Sequence, residues 1–151
     1  MLALIGGSGL YQFPQLEEAE WVNVNSPWGE VSDQLLFGTI NGLEIVFLPR
    51  HGRTHHLSPS YINYRANIDA LKQSGVTDII SISACGSLRE DLPPGAFLLV
   101  DQFIDMTKSR EKSFFGDGIV AHVSFAEPIS QRLVSQLSAV MTSKRIPFQM
   151  V

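Results

Sequence analysis

Residues 50–56 read Arg-His-Gly-Arg-Thr-His-His, two guanidinium groups and three imidazoles in seven consecutive positions, directly after the apolar run Ile45-Val46-Phe47-Leu48 and Pro49. A planar guanidinium can grip two oxygens of an anion at once, and a neighbouring imidazole can donate a further hydrogen bond. Arg50 and His51 are therefore candidates for an oxyanion clamp. Two other readings stand beside this one: a solvated basic loop, or a metal site built from His51, His55 and His56. The metal reading lacks a nearby carboxylate pair to complete the shell. Gly52 and Pro59 also argue against the helix that would align His51 with His55.

Two other stretches offer donors. Gly6-Gly7-Ser8-Gly9 follows a short apolar run; glycines there let successive backbone N–H groups turn toward one point, and the Ser8 hydroxyl adds another donor. The motif lacks the full spacing of a dinucleotide or P-loop signature, and a plain tight turn is its alternative. Ser83-Ala84-Cys85-Gly86-Ser87 follows the apolar stretch at 78–83. Small residues at a strand's carboxyl end admit a ligand close to the backbone, and open α/β sheets collect ligands at that end. Three such loops converging on a single anion is the more economical reading.

The elements that must carry these loops follow from the pattern. Leu2 to Ile5 predicts a buried strand. Residues 34–40 and 43–48 flank Asn41-Gly42, a strong hairpin signal. The segment after Pro59 has helical apolar spacing, with Ser58 or Ser60 as candidate caps and Gly75 as the stop. A buried strand is expected at 78–83, another apolar run at 96–100, an amphipathic helix over Gln131 to Ser143 and the start of a strand at 146–151. Strands alternating with helices make the chain an α/β protein.

The chain has 151 residues, 44% of them apolar, enough for a sizeable core. Its 11 Lys and Arg against 15 Asp and Glu give a formal charge of −4, so the cationic cluster is local and no nucleic-acid partner is expected. The first residues carry no basic leader and too short an apolar run for a membrane span, and the single cysteine, Cys85, suits a reducing compartment. A cytoplasmic protein with no membrane partner is expected.

The segments IGGSGL, SPWGEVSD, LPRHGRTHHLSPSYINYRANIDALK, SACGSLRE, PGAF, DQFIDMT, SFF and HVSFAEP, in this order and spacing, resemble the trimeric nucleoside phosphorylases of the methylthioadenosine phosphorylase group. The resemblance runs from Leu4 to about Pro128. It implies a nucleoside phosphorylase-like fold, a central mixed sheet flanked by helices, with residues 1–151 forming the N-terminal part of one domain that is incomplete at its C-terminus. It further implies a homotrimer in which inorganic phosphate attacks the ribosyl C1′ of a purine nucleoside, with no metal or organic cofactor. Carried over by position, the phosphate contacts fall on Ser8, Arg50, His51, Ser83 and Ala84. His55 lies beside the phosphate loop, and His122 corresponds to a histidine that reaches the sugar's 5′ end in the neighbouring subunit's site. Asp101 to Asp105 matches a segment expected to organise core and subunit contact. Arg53 and His56 are read as solvated neighbours.

Members of that group are considerably longer, and their remaining part carries the purine-contacting residues. The residue that protonates the leaving purine is accordingly expected beyond Val151, and no carboxylate here is assigned to it. The expected substrate is 5′-methylthioadenosine or 5′-methylthioinosine. A 6-oxopurine nucleoside such as inosine or guanosine is the alternative substrate, and a non-catalytic phosphate-binding or oligomerising remnant is the alternative of another class.

Overall fold

The computed structural model describes residues 1–11, 15–116 and 118–151, apart from the side chain of Ser8. The chain divides into two compact units, one of residues 1–84 with 109–114 and one of residues 85–108 with 115–151.

The first unit is built on a five-stranded sheet. In chain order its strands are β1 (Leu2–Gly6), β2 (Glu17–Val22), β3 (Leu35–Ile40), β4 (Leu43–Pro49) and β5 (Asp78–Ile82), laid side by side as β2-β3-β4-β1-β5. β1 runs parallel to both β4 and β5, while β3 is antiparallel to β2 and β4, so the sheet is mixed, as expected. The β3–β4 hairpin turns at Asn41 and Gly42, with φ of 51° and 75°. Two successive positive φ values define the turn whose twist matches paired strands, and Asn-Gly tolerates it better than other pairs.

The two-residue period of the strands distributes the core. Ala3, Leu35, Val46 and Leu48 lie on one face with Ala70, Leu71 and Val76, whereas Leu36, Ile45 and Phe47 pack on the other with Leu16. β4 is buried from Ile45 to Pro49 because it sits inside the sheet and is covered on both faces. The first face is closed by helix α1 (Tyr64–Gln73), which buries Ala66, Asn67, Ala70 and Leu71 and forms the crossover between β4 and β5.

Two expectations need correction. The cap of α1 is Asn63, whose side-chain oxygen accepts from the Ala66 N–H, and neither Ser58 nor Ser60. Asn63 also donates to the Trp28 carbonyl at 2.8 Å, a distant partner that local capping rules cannot see. β5 is half-exposed, with Ile82 42% exposed. Among the described residues it pairs with β1 alone, at the edge of the sheet in this chain. Gly75 does follow the helix, at φ 81°.

In the second unit β6 (Phe97–Leu99) and β7 (Phe148–Met150) form a parallel pair, joined through helix α2 (Gln131–Ser143). Ser130 caps α2 by accepting from the Leu133 N–H. Both strands and the helix fall where the apolar runs place them. Among the described residues, no helix is long and apolar enough to cross a membrane.

Candidate active site

Parallel pairing decides where the donor loops emerge. Gly6 of β1 is in register with Pro49 of β4 and with Ile82 of β5. The loops beginning at Gly7, Arg50 and Ser83 therefore leave three adjacent strands at the same carboxyl edge, where open α/β sheets bind ligands. The Arg50 backbone N–H extends this pairing by donating to the Gly6 carbonyl at 2.9 Å.

Arg50 is fixed from one side. Its Nε–H donates to His51 Nε2 at 3.1 Å, and His51 Nδ1 lies 2.8 Å from the Leu57 carbonyl oxygen. A carbonyl only accepts and the arginine Nε–H only donates, so the imidazole between them carries its proton on Nδ1 and is neutral. The Nη2 corner of the same guanidinium lies against the glycine loop: a Cβ added to Gly7 would stand 3.5 Å from it. The arginine's terminal fork thus lies beside the backbone of the first loop while its inner edge rests on His51.

The His55 ring stacks obliquely on His51 with centroids 4.8 Å apart, and Tyr11 Oη approaches His55 Nδ1 at 3.5 Å. Burial pushes the Tyr11 phenol above its ordinary value; the Arg50 charge works against this and the Asp33 charge with it. Tyr11, Arg50, His51 and His55 form one cluster. Tyr11, two residues after Gly9, is a member that the sequence pattern does not single out.

Arg53 and His56 are not simple solvated neighbours. The Arg53 backbone N–H and Nε donate to Asp33 at 2.6 and 3.1 Å, its Nη2 donates to Gln34 at 2.8 Å, and its guanidinium lies 4.0 Å above the Trp21 ring. Burial disfavours the charged Asp33 carboxylate, but the bonds from Arg53 and from the Gln34 backbone outweigh it and hold the carboxyl below its usual range. His56 packs over Gly52, where an added Cβ would fall 2.4 Å from the ring and where φ is 73°. Only glycine suits that bend, and the loop takes its shape from it.

The remaining predicted residues stand as follows. Ser83 and Ala84 are exposed at the end of β5 in the first unit. The backbone of Ser8 begins a 3-10 turn closed by Leu10 N–H to the Gly7 carbonyl, and its hydroxyl lies outside the described residues. His122 belongs to the second unit, exposed in a segment with neither helix nor strand. In that unit Gln102 donates to the Ala126 carbonyl and Phe103 meets Phe125 edge-on at 5.0 Å; Ile104 is exposed, so in this chain Asp101 to Asp105 organises a local contact rather than a core.

Residues 1–150 match the model of the phosphorylase superfamily. An S-methyl-5′-thioadenosine phosphorylase of Rhodospirillum rubrum is 60% identical over 147 residues, 97% of this chain and 50% of that protein. One from Hyperthermus butylicus is 49% identical, covering 98% of this chain and 53% of its own length. Among solved structures, a methylthioadenosine phosphorylase from an antarctic soil metagenomic library superposes with a TM-score of 0.91 at 47% identity, over 99% of this chain and 52% of that one. The Schistosoma mansoni methylthioadenosine phosphorylase in complex with adenine gives 0.88 at 40% identity, over 95% and 53%. The chain spans about half the length of the curated relatives it matches.

Proposed function

This chain belongs to the phosphorylase superfamily, and from that premise we propose that the whole protein cleaves the N-glycosidic bond of a purine nucleoside with inorganic phosphate, 5′-methylthioadenosine being the first substrate to test. The observation that carries the reading is the Arg50 fork lying beside the Gly7 loop at the shared carboxyl edge of β4, β1 and β5. A dianion held there meets a fixed cation and backbone donors without waiting for solvent to reorganise.

In the proposed reaction a phosphate oxygen bonds to C1′ as the C1′–N bond breaks, giving the purine and 5-methylthioribose 1-phosphate. The transition state is oxocarbenium-like, so holding the nucleophile in line supplies much of the acceleration. Arg50, His51, Ser8, Ser83 and Ala84 are the proposed phosphate site, with His55 in support. Phosphate is the co-substrate, and neither redox nor metal chemistry is called for. The names of the relatives at 49 to 60% identity support methylthioadenosine over a 6-oxopurine nucleoside. We further propose a cytoplasmic homotrimer, with His122 serving the neighbouring subunit's site.

The test is turnover of methylthioadenosine, methylthioinosine, inosine and adenosine by the whole protein, with and without phosphate. Phosphate-dependent loss of methylthioadenosine with release of adenine is expected. Equal turnover without phosphate identifies a hydrolase and defeats the proposal.

A further inference from the structure

We propose that His51 is a positioning residue that acts on the anion through Arg50, and that it does so as the neutral Nδ1–H imidazole. This rests on the phosphate site just proposed and changes the role of one residue within it. The resemblance places His51 among the groups that touch phosphate. The geometry gives both of its nitrogens other work: Nδ1–H donates to the Leu57 carbonyl at 2.8 Å and Nε2 accepts from Arg50 Nε at 3.1 Å. A neutral imidazole bonded in this way has no N–H left to give an anion.

The arrangement orients a fork. With its Nε–H pinned, the guanidinium plane is set, and its Nη2 corner lies beside Gly7. Protonation of His51 at Nε2 would replace an acceptor with a donor facing another donor. The Arg50 bond would break, and two cations would stand side by side. On this view His51 supports anion binding as the acceptor that orients Arg50, the opposite of an imidazolium that donates to the anion directly.

Other groups bear on the same space. His55 faces His51 across 4.8 Å, Tyr11 lies against His55, and Asp33 and Arg50 act on Tyr11 through their charges. The His51 contribution is isolated by comparing His51→Gln, whose side-chain oxygen can accept from Arg50, with His51→Leu, which cannot.

The probe is sulfate, a doubly charged oxyanion with the shape of phosphate. Binding is measured by calorimetry on the whole protein. At pH 8 we expect His51→Gln to stay within about threefold of the unaltered protein and His51→Leu to bind about tenfold more weakly. His51→Gln binding as weakly as His51→Leu, or His51→Leu binding as tightly as the unaltered protein, overturns the role assigned to His51 while leaving the anion site intact. Failure of sulfate to bind the unaltered protein at any pH removes the site itself, and this inference with it. If the variants do not fold, the imidazole nitrogen shifts of the unaltered protein decide: His51 as the Nδ1–H tautomer at pH 8 supports the role, and the Nε2–H tautomer excludes it.

Discussion

Arg50 and Arg53 stand three positions apart and put the same side chain to different ends. Arg53, though exposed, is bonded to Asp33 and Gln34 and lies over Trp21, so it ties the loop to the sheet, while Arg50 is held at one nitrogen and presents its fork to the glycine loop. For Arg50→Lys in the whole protein, the phosphate concentration for half-maximal rate should rise about tenfold or more with little change in melting temperature, because an ammonium cannot form the bidentate fork. An unchanged phosphate dependence in the folded variant removes Arg50 from the site. The Asp33–Arg53 pair should register in stability instead. The Asp33 carboxyl is held below its ordinary range, so its contribution is present above the unfolded-chain value of about 4 and is lost as pH falls through the lower folded-state value. Urea midpoints between pH 2 and 7, taken as about the useful span, should show Asp33→Asn less stable near neutrality and the gap closing below about pH 4. Parallel curves would show that the pair contributes nothing to folding.

At the scale of elements, the hairpin between β3 and β4 depends on one residue that has no good substitute. Gly42 sits at φ 75°, and a β-branched side chain is strained there by about 1–2 kcal/mol. Gly42→Val should lower the urea midpoint accordingly and leave the spectroscopic signature of the fold in place; an unchanged midpoint would mean that the turn relaxes without cost. This hairpin was legible in the sequence because its geometry is local to Asn41 and Gly42. The same holds for α2, whose cap and apolar spacing lie within its own residues, and for the donor loops, each announced by glycines or cations after an apolar run. What escaped depends on distant partners. Strand β2, Glu17–Val22, carries three glutamates and reads as surface; it is a strand because β3 offers it an edge, with a register shift between Glu17 and Glu20. Asn63, directly before the first helical residue, caps α1 in place of Ser58 or Ser60 and is also bonded to the distant Trp28. The anchoring of Arg53 depends on Asp33, twenty residues away, and the tautomer of His51 depends on two neighbours whose directions only the folded loop sets.

At the scale of the whole molecule, the proposed site and His122 raise a question of assembly. The strand ends that gather Arg50, the glycine loop and Ser83 belong to the first unit, and His122 belongs to the second. In the proposed homotrimer a His122 that serves a neighbour is given directionally, each subunit to the next around a closed ring. The two loci then become separable by mixing. In the whole protein, Arg50→Ala and His122→Ala should each be strongly impaired as uniform assemblies, one lacking its anion fork and the other lacking the group donated across the interface. When the two are mixed and allowed to exchange subunits, some interfaces pair an intact Arg50 with an intact His122 from the adjacent subunit, and activity returns at those interfaces alone. Recovery should grow with the extent of exchange, followed by mass spectrometry of tagged subunits, and should peak near equal proportions of the two variants. With exchange demonstrated and both parents folded, an absence of recovery places any action of His122 within its own subunit and withdraws the shared site.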